Sequence, residues 1–96
     1  MRVTIDARAR AELQEAARYY DGCEAGLGDR FAAAAQLQLR KIELSPFQYR
    51  SCAAGCRISR IQAFPYSIIY QLSNDRILVV AFLHHSRRPG YWTSRL

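Results

Sequence analysis

The chain has 96 residues, half of them apolar, and 14 Lys plus Arg against 8 Asp plus Glu give a formal net charge of +6. That length supports one two-layer core, read here as a single domain over residues 1–96, and the apolar content excludes intrinsic disorder. The longest unbroken apolar run, Ile77–Leu83, falls far short of the roughly 18 residues a membrane span needs, so no membrane partner is expected. No apolar signal segment follows Met1-Arg2, which makes the cytoplasm the expected location.

Arg2 to Ile5 reads as a short strand with Val3 and Ile5 on one face. Asp6 is a candidate N-cap for a helix from Ala7 to about Asp21. Its apolar stripe is Ala9, Leu13, Ala16, Ala17 and Tyr20, with Arg8, Glu12, Glu15 and Arg18 outside it. Gly26-Leu27-Gly28 breaks the pattern, and a second helix is predicted from Leu27 or Asp29 to Leu44, where Ser45-Pro46 ends it. Phe31, Ala34, Ala35 and Ile42 form its core stripe. Ala33, Leu37 and Leu44 lie roughly opposite, either as scattered exposed residues or as a shallow groove for a partner helix.

Phe47 to Gly55 reads as loop. Three strands follow, Cys56–Ala63, Tyr66–Leu72 and Ile77–His84, the last two joined through Ser73-Asn74-Asp75-Arg76 as an antiparallel hairpin. Ile77–Leu83 is apolar on both faces, as a central strand is. The predicted fold is α+β: a short N-terminal strand, then a two-helix hairpin packed on a small antiparallel sheet, in the order β-α-α-β-β-β.

The charge is unevenly spread. Residues 1–48 are balanced, whereas residues 49–96 set Arg50, Arg57, Arg60, Arg76, Arg87, Arg88 and Arg95 against Asp75 alone. One basic face and an acidic or polyanionic partner follow from that asymmetry. Lys41 is the single lysine, so the cations are almost all planar guanidinium forks suited to phosphate and carboxylate. Cys23, Cys52 and Cys56 are an odd count with no Cys-x-x-Cys, and neither a disulfide framework nor a zinc site is expected. No cofactor is implied.

Chemistry-bearing residues gather in the second half. Arg57 and Arg60 share the first meander strand, three apart and therefore on opposite faces unless a bulge intervenes. His84-His85-Ser86-Arg87-Arg88-Pro89-Gly90-Tyr91-Trp92 follows the central strand directly. Two readings compete for that run. In a ribonuclease, His84 or His85 would move a proton, Tyr91 would donate one, and Arg57, Arg60, Arg87 and Arg88 would hold the phosphate. In an interface, the same Arg, Tyr and Trp residues would be contact anchors.

Several phrases, in order, carry a resemblance: Ala11-Glu12-Leu13 through Tyr19-Tyr20, then Gly26-Leu27-Gly28 with Phe31, and Ile42 with Ser45-Pro46. Arg57 before Phe64-Pro65-Tyr66, Ile69-Tyr70, the histidine pair and Arg88-Pro89-Gly90-Tyr91-Trp92 complete it. Together they make the chain resemble the RelE/ParE superfamily of bacterial type II toxins over nearly its whole length, and the ParE-like, plasmid-stabilisation branch in particular.

That resemblance implies a toxin neutralised by a cognate, DNA-binding antitoxin of the ParD or RelB kind. Its arm would lie along Ala33, Leu37 and Leu44, and operator DNA would be reached only through it. ParE-like members look like inhibitors of DNA gyrase acting by protein contact, and Arg57, Arg60, His85, Arg87, Arg88, Tyr91 and Trp92 would then form the contact surface. RelE-like members are ribosome-dependent mRNA endoribonucleases, for which Arg57, Arg60, His84, His85, Arg88 and Tyr91 would be the catalytic set. The single lysine departs from the second pattern, and the gyrase reading is preferred. A non-toxic basic nucleic-acid-binding module is the third reading, with Tyr91 and Trp92 stacking on bases.

Overall fold

The computed structural model describes all residues, Met1–Leu96. Strand β1 (Arg2–Ile5) leads into helices α1 (Ala7–Cys23) and α2 (Leu27–Leu44), and strands β2 (Arg57–Arg60), β3 (Tyr66–Ser73) and β4 (Arg76–His84) follow. Short 3-10 turns lie at Ala53–Gly55 and Tyr91–Arg95.

Asp6 caps α1 as its position predicts, accepting the Arg8 amide at 2.8 Å. Ala9 and Ala16 are buried, with Leu13, Ala17 and Tyr20 packed beside them. The turn between the helices rests on two glycines. Gly26 sits at φ 86°, where a side chain is strained, and offers no side-chain cap. The capping acceptor comes instead from α1: Asp21 Oδ1 takes the Gly28 amide at 2.8 Å. The crossing there is so close that a Cβ on Gly28 would lie 2.3 Å from the Ala17 carbonyl oxygen.

The sheet order is β1-β4-β3-β2. β2, β3 and β4 form the expected antiparallel meander, but β1 joins β4 in parallel, with Arg2 opposite Arg76 and Ile5 opposite Val79, so the sheet is mixed. The helix hairpin carries the chain across one face, and the open edge of the apolar central strand takes β1 as its partner. Asn74 and Asp75 both have positive φ, 48° and 61°, and make a two-residue hairpin turn that lengthens β3 and β4 by one residue each over expectation. β2 is shorter than the predicted Cys56–Ala63, because Ala63 at φ 73° turns the chain toward Pro65.

Both sheet faces are covered. On the helix side, Phe31, Ala35 and Ile42 of α2 pack against Ile68, Tyr70, Ile77, Val79 and Phe82 of the sheet. Against the other face lie Cys56, Ile69, Val80, Ala81 and Trp92. A bulge in β4 produces this division: Ile69 pairs with Ala81 and Tyr70 with Val79, so Val80 is an extra residue. Ile77 and Val79 face the helices before it, Phe82 after it. The loop after α2 is tied inward, since the buried Tyr70 hydroxyl donates to the Pro46 carbonyl at 2.7 Å and burial pushes its pKa up to about 12. Gln38, 7% exposed, donates to Ser59 Oγ and to Tyr49, joining α2 to β2.

Candidate functional site

β1 ends at Ile5, where Asp6 N donates to the Val79 carbonyl. Beyond that point β4 has a free edge, and two of its backbone groups are satisfied by side chains. Glu12 Oε1 accepts the Phe82 amide at 3.2 Å, and Arg95 Nη1 donates to the Val80 carbonyl at 3.0 Å. The two side chains pair with each other: Arg95 Nη1 lies 2.8 Å from Glu12 Oε1 and Nη2 lies 3.1 Å from Oε2. The Tyr91 hydroxyl donates to Glu12 Oε2. Its ring is flanked by guanidinium carbons of Arg87 at 4.0 Å and Arg95 at 5.2 Å. Burial first, and then the bond to the Glu12 carboxylate, push the Tyr91 phenol well above its ordinary 10.0. A phenol so held is a poor proton donor at neutral pH.

Beside this network a cleft of about 430 Å³ opens between α1 and β4, lined by Glu12, Glu15, Tyr19, Tyr66, His84 and Arg87 among others. His84 sits edge-on to the Tyr66 ring, with centroids 5.0 Å apart and planes at 89°. Its Nδ1 accepts the Ser86 amide at 3.0 Å, which fixes the ring at the strand end.

His85 points the other way, as successive strand residues do. Its Nε2 lies 2.9 Å from Ser67 Oγ. Ser67 is 4% exposed and is the register partner of Arg60 on one side and Leu83 on the other. Burial and then the Arg60 charge, with a smaller contribution from His84, hold the His85 imidazole below its ordinary 6.5, which favours its neutral form. Arg60, Arg87 and Arg88 are exposed. The end of β2, the start of β3 and the segment after β4 thus bring Arg60, His85, Arg87 and Arg88 to one end of the sheet.

Two expected members lie elsewhere. Arg57 is the partner of Tyr70 in a register without a bulge, so it and Arg60 occupy opposite faces. Its Nη1 donates to the carbonyls of Tyr49 at 2.7 Å and Phe47 at 3.2 Å, which makes it an anchor for the loop after α2. Trp92 is 3% exposed and packs under Val80 and Ala81 as part of the second core, which leaves little indole for a contact.

On the outer side of α2, Ala33 is exposed, Leu37 is 55% exposed and Leu44 82%. Phe47, 65% exposed, follows them in the chain with the Arg57 guanidinium 5.6 Å from its ring centre. Arg40 and Lys41 are exposed on the same helix. Sequence reasoning missed Phe47, which it read only as loop, and Glu12, which it set outside the apolar stripe. The helical spacing from Glu12 to the buried Ala9 and Ala16 was the signal that Glu12 borders the core.

Fold and site together describe a small basic α+β domain that presents a cationic end and a separate apolar helix stripe. A family model for the ParE toxin of the type II toxin-antitoxin system, parDE, matches residues 3–89, and the chain belongs to that family. It is a ParE-like toxin, and such a system implies a cognate antitoxin. A solved structure described as the chromosomal ParDE toxin-antitoxin system from P. aeruginosa shares the fold at 14% identity. The TM-score is 0.67, and the match covers 88% of this chain and 95% of that one. A search of curated proteins finds no match. No helix is long and apolar enough to cross a membrane.

Proposed function

We propose that residues 1–96 act as one toxin domain of the plasmid-stabilisation, ParE-like branch, working in the cytoplasm by inhibiting DNA gyrase through protein contacts. The target surface is the cationic end of the sheet, with Arg60, His85, Arg87 and Arg88, and with Tyr91 holding Arg87 in place. The antitoxin covers Ala33, Leu37, Leu44 and Phe47, and an amphipathic helix with an acidic margin suits the flanking Arg40 and Lys41. Operator DNA is reached through the antitoxin alone.

The observation that carries this reading is the Tyr91 hydroxyl, already donated to Glu12. A toxin cutting RNA with this tyrosine would need that proton free, whereas a contact surface needs the ring and its stacked arginine in place. One observation favours the alternative, a ribosome-dependent mRNA endoribonuclease. A neutral His85 beside Ser67 and Arg60 has the protonation of a general base next to a phosphate-binding cation.

Induced expression in a bacterium with pulse labelling separates the two. Early loss of thymidine incorporation with amino-acid incorporation intact is the expected result, and the Arg60→Ala plus Arg88→Ala protein should then lose at least tenfold in gyrase inhibition. Early loss of translation overturns the gyrase reading in favour of RNA cleavage. If neither falls, a non-toxic nucleic-acid-binding module takes its place.

A further inference from the structure

Cys52 and Cys56 are brought together by the turn before β2. Ser51 bridges Arg57 in antiparallel sense, and one step inward the Cys52 amide donates to the Cys56 carbonyl at 2.8 Å. Ala54 at φ 59° and Gly55 at φ 74° close the three-residue loop between them. The Cys56 amide turns back to the Ala53 carbonyl at 3.2 Å, so the two residues share one ladder bond, and residues opposed across such a bond have Cα atoms about 5.5 Å apart with side chains on one face. That separation lies inside the range a disulfide spans. Both residues pack in the same apolar cluster with Ile58 and Trp92, Cys56 fully buried and Cys52 partly exposed. Cys23, on α1, is exposed and stands apart.

We propose that Cys52 and Cys56 are a two-thiol oxidation site that a peroxide or a small-molecule disulfide closes to an intrachain disulfide. Cys52 is the attacking thiol, because Cys56 has no surface through which an oxidant reaches it. Burial raises both thiols, and Arg50 pulls Cys52 alone the other way. With hydrogen peroxide, the Cys52 thiolate attacks one oxygen, the O–O bond breaks, and Cys52 becomes a sulfenic acid while the hydroxide released takes up the proton the Cys52 thiol lost and leaves as water. The Cys56 thiolate then attacks that sulfur, and the hydroxide displaced takes up the Cys56 proton. Two thiols and one peroxide become one disulfide and two waters, the sulfurs supplying the two electrons. The product staples the loop that lies over the Trp92 side of the sheet.

The test uses the reduced full-length chain and hydrogen peroxide, followed by alkylation under denaturing conditions and tryptic digestion. Cleavage after Arg50 and Arg57 places both thiols in one peptide, Ser51–Arg57. The expected peptide carries no alkyl group and is about 2 Da lighter than the reduced form, the loss of two hydrogens. A doubly alkylated peptide at a peroxide dose that oxidises Cys23 overturns the proposal. So does a Cys52 sulfinic acid beside an alkylated Cys56. In the Cys52→Ser chain, Cys56 should stay alkylatable, and its oxidation at the wild-type rate would also overturn the assignment.

Discussion

Glu12 and Arg95 meet across 83 positions of chain, with Nη1 2.8 Å from Oε1 and the two side chains only 14% and 12% exposed. The pair does more than neutralise itself. Each partner also satisfies a backbone group of β4 beyond the end of β1, so removing one leaves a buried charge and an orphaned strand edge together.

Arg95→Ala should therefore cost about 3 kcal/mol, which for a chain of this size lowers Tm by more than 10 °C or so. Glu12→Gln keeps an acceptor for the Phe82 amide and should cost about half as much. Thermal unfolding followed by circular dichroism checks both, and a shift under about 2 °C for Arg95→Ala would refute the edge-capping role.

Gly28→Ala tests the helix crossing. The added methyl would lie 2.3 Å from the Ala17 carbonyl and 2.8 Å from the Asp21 carboxylate that caps α2. Backbone has to move, and a loss of about 1–3 kcal/mol in urea unfolding is expected. Gly22→Ala is the control, because its Cβ meets nothing within 4 Å.

His85 should titrate below 6.5 in the folded chain, and Arg60→Ala should raise that value by removing the second-largest of its causes. A depressed folded pKa means that this group's contribution to stability is complete above pH 6.5 and is lost as pH falls through the folded value. Proton NMR of the imidazole read against pH gives the answer. A His85 pKa at or above 6.5 would contradict the packing of Ser67, Arg60 and the ring.

Leu37→Asp with Leu44→Asp should weaken antitoxin binding at least tenfold by calorimetry while leaving growth arrest intact. Both leucines are mostly exposed, so the unfolding midpoint should shift by no more than about 0.5 kcal/mol allows. Unchanged affinity would place the antitoxin on another face.

Much of this architecture is legible in periodicity. The 3.6-residue pattern found both helices, Pro46 marked the end of α2, and Asn74-Asp75 marked the hairpin, because each rests on local backbone physics. The bulge at Val80 is not local, since an apolar run reads the same whether or not one residue is skipped. The parallel seat of β1 was hidden for the same reason: four residues with one apolar face fit either edge direction. Trp92 was expected at a contact surface because aromatic and basic neighbours suggest one, yet a second core on the far face needed its area. Glu12 read as solvent-facing, and only the fold reveals a strand edge waiting beside it.

The parallel pairing of β1 with β4 also sets a schedule for synthesis. Arg2 to Ile5 leave the ribosome well ahead of their partners Arg76 to Val79, so until those residues follow, β1 has no strand to join. Its register waits on the hairpin at Asn74-Asp75, and the sheet closes only when that late segment has left the ribosome. Until then both helices wait without an assembled sheet, and the cationic end, built from β2, β3 and the segment after β4, takes shape after them.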